Sequence, residues 1–217
     1  MIFSAVIFDL DGTLANTLED IADNMNSVLV EKGFPVHSYG DYCFFVGNGL
    51  KNLVARSLPE SERTDEMIDS CYARMLEEYS KNYINKTRLY DGIPELLDIL
   101  SDRDVKMAVL SNKDNVLTQK ICSELLCGWK FAAVLGADAR FQRKPNPESA
   151  LYLAEHIGVA PADISYLGDS DVDMKTAVAA GFYPVGAGWG FRPKQELLEN
   201  GAKIVIEHPL ELIKLLK

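Results

Sequence analysis

The segment FSAVIFDLDGTL, residues 3–14, is a short apolar run that ends in two carboxylates. An apolar run of this length, bounded by turn residues, is typical of a strand buried on both faces of a parallel sheet. Asp9 and Asp11 would then lie at the sheet edge where open α/β folds bind ligands. Two adjacent acids repel each other, and a divalent cation, which prefers oxygen ligands, would offset that repulsion. The alternative is an ordinary strand end, because Asp-Gly is a common turn pair.

The composition is typical of a globular protein, with 47% hydrophobic and 25% charged residues in a chain of 217. The net charge of −10 argues against nucleic acid or an anionic membrane surface as the main partner. No stretch approaches the roughly 20 apolar residues of a membrane span, and the apolar run before Asp9 is too short for a signal peptide. The four cysteines form no CxxC pair, which predicts reduced thiols in a cytoplasmic protein.

Hydrophobic periodicity predicts the order of helices and strands. Apolar stripes at helical spacing predict one long helix from Thr17 to about Gly33 and a second over 64–84, whose stripe includes Tyr79; a short helix over 47–58 lies between them. Beyond these helices, strands predicted at 105–110, 132–135, 164–167, 183–185 and 203–206 alternate with helices.

This alternation favours right-handed crossovers and a parallel sheet covered on both faces. The sequence therefore predicts an α/β fold, with a doubly wound, Rossmann-like parallel sheet built from residues 1–15 and 85–217. An all-helical cap over 16–84 would be inserted after the first strand.

Three later strand ends also carry polar residues. Ser111 and Asn112 follow the second strand, where a hydroxyl and backbone N–H groups suit an anion, although both residues are also common helix caps. Lys144 lies among prolines in RKPNP, which hold it on a rigid loop suited to an aspartate or a phosphate; a solvated lysine is the alternative. Asp169 ends a buried strand in GDSDVD, and Asp173 follows within the next helical turn.

Taken in order, DxDGT, a strand ending in Ser, an isolated Lys and GDSxxD resemble the four motifs of the haloacid dehalogenase-like hydrolase superfamily over the whole chain. The helical insert looks like the small cap of the subgroup that includes phosphoglycolate phosphatase and β-phosphoglucomutase. The strings GNGLKNL, SNK, RKPNP and WGFR look most like phosphoglycolate phosphatase. Asn16 departs from that pattern, since these phosphatases usually carry Asp there.

The resemblance implies a Mg²⁺-dependent phosphomonoesterase that works through an aspartyl-phosphate. Asp9 would be the nucleophile, and Asp11 would protonate the leaving alcohol and then activate water. Mg²⁺ would be held by Asp9, the Asp11 backbone carbonyl and Asp169, with Asp173 orienting a water beside it. The resemblance also implies a set of residues around the phosphoryl group, namely Gly12, Thr13, Ser111, Asn112 and Lys144. We expect the substrate loop of the cap to contain Gly47, Asn48, Gly49 and Lys51.

The implied substrate is a small phosphorylated metabolite, with 2-phosphoglycolate first, and the enzyme would be a monomer or homodimer. A phosphosugar mutase similar to β-phosphoglucomutase is the main alternative, followed by phosphatases for sugar phosphates, nucleotides or pyrophosphate. The acid at position 11 disfavours the dehalogenases and phosphonatases of the superfamily, which generally lack it. A phospho-acceptor signalling domain would be shorter and have no helical insert. A catalytically silent relative would have lost one of Asp9, Asp11, Lys144 and Asp169. A dinucleotide-binding domain would carry GxGxxG after its first strand.

Overall fold

The computed structural model describes residues 3–216, and its centre is a six-stranded parallel sheet. The eight strands are β1 (Ala5–Phe8), β2 (Ala15–Asn16), β3 (Arg88–Leu89), β4 (Lys106–Asp114), β5 (Ala133–Ala137), β6 (Ile164–Gly168), β7 (Tyr183–Ala187) and β8 (Ile204–Ile206). The α-helices are α1 (Leu18–Glu31), α2 (Tyr39–Phe45), α3 (Leu50–Ser57), α4 (Asp65–Asn82), α5 (Ile93–Asp102), α6 (Asn115–Leu125), α7 (Glu148–Ile157), α8 (Asp171–Ala180) and α9 (Lys194–Glu199). Short 3₁₀ helices span Glu60–Glu62, Pro161–Asp163 and Pro209–Leu215.

The order of the large sheet, β5-β4-β1-β6-β7-β8, places the first strand near its middle. Phe8 at the end of β1 is level with Val109 of β4 and Leu167 of β6. All three strands are parallel, so the residues that follow these positions emerge side by side at one edge. The register therefore brings the motifs of three separate sequence segments together.

Both faces of the sheet are covered, which confirms the predicted doubly wound α/β fold. Val6 and Phe8 pack into one core with α5 and α6, whereas Ala5 and Ile7 pack into a second core with α7 and α8. All four residues of β1 are fully buried. A strand that must be apolar on both faces cannot alternate polar and apolar residues, which explains its continuous apolar run.

The helices α1 to α4 form a four-helix subdomain with a hydrophobic core of its own, centred on Met25, Leu29, Tyr42, Val54 and Met75. The chain enters and leaves this subdomain through an antiparallel pair in which Ala15 of β2 faces Leu89 of β3. The expectation that every residue from 16 to 84 is helical or loop is therefore wrong at Asn16, which belongs to β2. The helix α2 was not predicted, although Ser38 and Asp41 form a capping box at its start.

The position of Ser111, Asn112 and Lys113 also differs from the expectation. We expected a strand-to-helix turn after residue 110, but β4 continues to Asp114. This strand remains paired with β5 as far as Asp114 opposite Ala137, with an irregular register after Leu110. The final helical segment is a 3₁₀ helix. None of the helices in the described chain is long and apolar enough to cross a membrane, and all four cysteines are free thiols.

Candidate active site

A buried lysine and two buried aspartates form the centre of the site at the carboxyl edge of the sheet. The Lys144 ammonium donates to Asp9 Oδ1 at 2.9 Å and to Asp173 Oδ1 at 2.6 Å. It also donates to the Leu110 carbonyl and the Tyr166 hydroxyl, both at 3.0 Å. Lys144 is only 4% exposed, so the loop that carries it holds a fixed charge rather than a solvated one.

The acids of this cluster carry more negative charge than Lys144 can balance. Burial, followed by the charge of Asp173, raises the pKa of Asp9 to about 7, although Lys144 opposes the shift. Burial and the charges of Asp173 and Asp9 hold the pKa of Asp169 well above its usual range. Burial alone would lower the pKa of Lys144, but the charges of Asp173 and Asp9 raise it well above its ordinary value. The cluster is therefore a favourable place for an added cation.

The donor atoms of this cluster fit a hard cation. Carboxylate oxygens of Asp9, Asp169 and Asp173 lie within 4.8 Å of one another, and all three residues are buried. Asp173 is already occupied, because its Oδ2 accepts from the backbone N–H and the hydroxyl of Ser170. Asp9 Oδ2 has no protein donor within residues 3–216. The oxygens that remain for a metal ion therefore come mainly from Asp9 and Asp169, and oxygen ligands of this kind suit Mg²⁺.

Asp11 lies beside the cluster, and its side chain faces the four-helix subdomain. Its Oδ1 accepts from the Thr17 hydroxyl at 2.6 Å and from the Lys113 ammonium at 2.7 Å. Burial disfavours the charge on Lys113, but the Asp11 carboxylate outweighs that effect and raises the pKa of Lys113. Asp11 and Asp9 therefore have different environments, since Lys113 holds Asp11 and Lys144 holds Asp9.

Ser111 and Asn112 lie near the end of β4 and line the same cavity as Asp9. The Ser111 hydroxyl oxygen accepts from the Lys113 backbone N–H at 3.2 Å, which leaves its own proton available to a ligand. The Asn112 side chain donates to the carbonyls of Lys144 and Gly47, and it accepts from the Lys144 N–H. Its side-chain amide therefore fixes the loop of Lys144 and joins the sheet edge to the four-helix subdomain.

Two glycines permit close approach of the backbone to Asp169. Gly12 has a φ of +87°, and a Cβ there would lie 2.2 Å from Asp169 Oδ2. A Cβ on Gly190 would lie 2.1 Å from the Asp169 Cβ, so neither position accommodates a larger residue. Asp169 Oδ2 accepts from the Phe191 N–H at 2.7 Å, and its Oδ1 accepts a longer bond from the Thr13 hydroxyl at 3.4 Å.

A cavity lies between the sheet edge and the four-helix subdomain, and the volume open to the centres of water molecules is about 50 Å³. Gly47 and Gly49, two residues of the predicted substrate loop, line it together with the acids and Ser111. Asn48 and Lys51 are not among its lining residues. Lys51 forms an exposed ion pair with Asp69 on α4, so its expected place in the substrate loop is not what the structure shows.

Sequence reasoning missed several residues of the site. Lys113 was noted as part of the string SNK, and Tyr79 was assigned to the apolar stripe of α4, yet both line the cavity. Arg192 was noted as part of a string, but its guanidinium donates to the carbonyls of Cys43, Phe44 and Val46 in the four-helix subdomain. No local pattern in the sequence marks these residues as part of a site, because their partners lie on distant segments.

Comparisons with known proteins agree with this geometry. A family model described as haloacid dehalogenase-like hydrolase matches residues 6–187. The chain is 30% identical over 220 residues to a phosphoglycolate phosphatase of Haemophilus influenzae, which covers 99% of this chain and 98% of that protein. It is also 30% identical over 211 residues to a phosphoglycolate phosphatase of Pseudomonas savastanoi pv. phaseolicola, covering 96% and 78%.

The crystal structure of a predicted phosphoglycolate phosphatase from Haemophilus somnus is similar, with a TM-score of 0.90 and 28% identity over 98% of this chain and 97% of that chain. The resemblance found in the sequence motifs is confirmed, as is the prediction that the protein is an enzyme. The family model covers most of the chain, and the protein therefore belongs to the haloacid dehalogenase-like hydrolase family.

Proposed function

We propose that this protein is a Mg²⁺-dependent phosphomonoesterase that acts through an aspartyl-phosphate, with 2-phosphoglycolate as its substrate. The main support is the arrangement of Asp9, whose Oδ1 is held by Lys144 at 2.9 Å while Oδ2 has no protein donor in the described chain. A carboxylate fixed through one oxygen can present the other to an incoming phosphorus atom.

In the proposed reaction, Asp9 Oδ2 attacks phosphorus, and the bond from phosphorus to the leaving oxygen breaks as the new bond forms. Asp11 gives its proton to that oxygen, which leaves as an alcohol. Asp11 then accepts a proton from the water that attacks the aspartyl-phosphate, and this step releases phosphate and restores Asp9. Ser111 and Lys144 would stabilise the phosphoryl oxygens, with the backbone N–H of Asn112 as a further donor.

The residues that would hold Mg²⁺ are Asp9, Asp169 and the Asp11 backbone carbonyl. When bound there, the ion supplies positive charge that offsets the repulsion between the carboxylates and the phosphoryl group. Asp173 would support this arrangement from behind, because it is bound to Lys144 and Ser170.

The choice of substrate rests on the named relatives and on the size of the cavity. The cavity offers about 50 Å³ to the centres of water molecules. One water molecule needs about 10–15 Å³ by this measure, so the cavity has room for a few water molecules. A short leaving group such as glycolate suits this space better than a sugar or a nucleoside. We further propose that residues 16–84, as the cap, close over the sheet edge of residues 1–15 and 85–217 and exclude water during the reaction.

The direct test is phosphate release from 2-phosphoglycolate with Mg²⁺ and with EDTA, for the wild type and Asp9→Asn. We expect EDTA to abolish turnover and Asp9→Asn to reduce it by at least about 10³-fold, because an amide is a poor nucleophile. Full activity of Asp9→Asn would refute the nucleophile assignment. A panel of sugar phosphates, nucleoside monophosphates and pyrophosphate tests the substrate, and a higher kcat/KM for any of them would replace 2-phosphoglycolate.

Mg²⁺ should also stabilise the protein without any turnover. A ligand at 100 times its Kd that binds only the folded state adds about 2.7 kcal/mol to the free energy of unfolding. A thermal unfolding experiment with Mg²⁺ should therefore show a higher midpoint for the wild type and a much smaller shift for Asp169→Asn. An equal shift in both proteins would place the ion elsewhere.

A further inference from the structure

The hydroxyl of Tyr79 is a buried polar group without a partner. Tyr79 lies on α4 of the four-helix subdomain and is 1% exposed, and its hydroxyl has no hydrogen-bond partner among residues 3–216. The side chain lines the cavity above Asp9 and Asp11. Leaving a hydroxyl unpaired in a protein interior costs free energy, because its hydrogen bonds to water are not replaced. A hydroxyl that lines a binding cavity escapes this cost when the ligand supplies the missing acceptor.

Lys113 presents a second unused donor to the same cavity. Its ammonium lies 4.8 Å from the centroid of the Tyr79 ring. The ammonium donates to Asp11, and the neighbouring Tyr79 hydroxyl also favours its charged form, which raises the pKa of Lys113; an ammonium has three N–H groups to donate. Lys113 is 9% exposed, so water satisfies the remaining groups poorly when the cavity is closed.

Apolar side chains line the cavity together with Tyr79 and Lys113. Ile21, Leu50, Leu53 and Leu117 are among the lining residues, and they belong to or pack against the same hydrophobic cluster as Tyr79. None of these side chains can accept a hydrogen bond. Two donors beside apolar side chains favour a compact acceptor with negative charge, and a carboxylate pairs with an ammonium and a phenol at once.

We propose that Tyr79 and Lys113 bind a carboxylate on the leaving group of the substrate, and that Tyr79 thereby selects phosphate esters of small hydroxy acids. This inference rests on the proposed phosphatase function and adds the residues that determine its specificity. Burial raises the pKa of Tyr79 to about 12, so its hydroxyl remains a donor at neutral pH. The phosphoryl group would bind at Asp9, and the carboxylate would lie on the side of the cavity formed by α4.

Tyr79→Phe tests the proposal because it removes only the hydroxyl. We expect kcat/KM for 2-phosphoglycolate to fall about 10- to 100-fold, which corresponds to losing a hydrogen bond to a charged group. The value for ethyl phosphate, which has no carboxylate, should change less than about twofold. Tyr72→Phe is the matched control, since Tyr72 lies on the same helix and is half-buried outside the cavity lining, and it should alter neither value.

A binding measurement separates this proposal from the proposed function. The Kd of 2-phosphoglycolate and of ethyl phosphate can be measured by calorimetry on Asp9→Asn and on Asp9→Asn with Tyr79→Phe, without turnover. A weaker Kd for 2-phosphoglycolate alone supports the role of Tyr79, whatever the rate measurements show. Equal losses for both ligands, or no loss for either, would overturn it and leave Tyr79 as a structural residue of α4.

Discussion

Two aspartates of α8, Asp171 and Asp173, each pair with a lysine, and the two pairs allow a quantitative test of the buried cluster. Lys144 and Lys175 each donate to an aspartate oxygen at 2.6 Å, Lys144 to Asp173 and Lys175 to Asp171. The side chain of Lys144 is 2% exposed and that of Lys175 is 48% exposed. The pairs are therefore equal in length and differ in their contact with water.

Replacing each lysine by methionine removes the charge and keeps most of the side-chain volume. For Lys144→Met we expect the free energy of unfolding to fall by about 3–5 kcal/mol, because Asp9 and Asp173 lose their buried counter-charge. For Lys175→Met we expect a loss of about 0–1 kcal/mol, because water and salt screen an exposed pair. The measurement is urea unfolding followed by circular dichroism, with EDTA present so that no metal ion compensates the acids.

The loss for Lys144→Met should depend on pH. The pKa of Asp9 is already raised to about 7 in the folded protein, and removing the lysine raises it further. A raised pKa means that the folded state binds the proton more readily than the unfolded state, so stability increases as pH falls. The loss should therefore be larger at pH 8 than at pH 6.

Adding Asp173→Asn to Lys144→Met should restore part of the stability, because it removes one of the buried charges left without a partner. We expect the two substitutions to be non-additive by about 1–3 kcal/mol. If Lys144→Met cost no more than Lys175→Met, or if the two effects were simply additive, the interpretation of a charge-balanced buried cluster would be wrong.

Two further substitutions test how the site is assembled. Arg192→Ala removes donors to the carbonyl of Val46 and its neighbours, so we expect steady-state kinetics to show a KM raised about tenfold or more. Arg63→Ala is the control, because the hydrogen bonds of Arg63 stay within the four-helix subdomain, and it should leave KM unchanged. An equal effect of both would refute a specific tie to the sheet edge. Gly190→Ala places a methyl group 2.1 Å from the Asp169 Cβ, so calorimetry should show Mg²⁺ binding weakened at least about tenfold; unchanged binding would contradict the close packing.

The sequence predicted the sheet well because its signals are local. Continuous apolar runs of a doubly buried strand differ from helical stripes, and turn residues mark the ends of both. The strands predicted at 164–167 and 183–185 begin where β6 and β7 begin in the structure, and the parallel order follows from the alternation of strands and helices. Asp9 and Asp169, which directly follow β1 and β6, were also predictable as site residues. A charge at the end of a buried strand needs a partner, so it indicates a site.

The remainder of the site depends on contacts between distant segments. Lys113 belongs to a strand rather than a turn because β4 stays paired with β5 up to Asp114, and no local pattern distinguishes the two. Tyr79 follows the apolar spacing of α4, so its sequence position predicts a core residue and gives no sign that the side chain lines a cavity. Lys51 was expected at the substrate because of its neighbours in sequence, but the turn of α3 directs it to Asp69 on the surface.

The two-stranded pair of β2 and β3 has a consequence for how such enzymes diversify. It places the two crossings between the sheet and α1 to α4 on adjacent strands, which lie about 5 Å apart. Any insert whose ends meet at that separation could be grafted at this point without moving the strand ends that carry Asp9 and Asp169. The helices α1 to α4 could therefore be exchanged during evolution while the sheet edge that carries Asp9 and Asp169 is inherited unchanged.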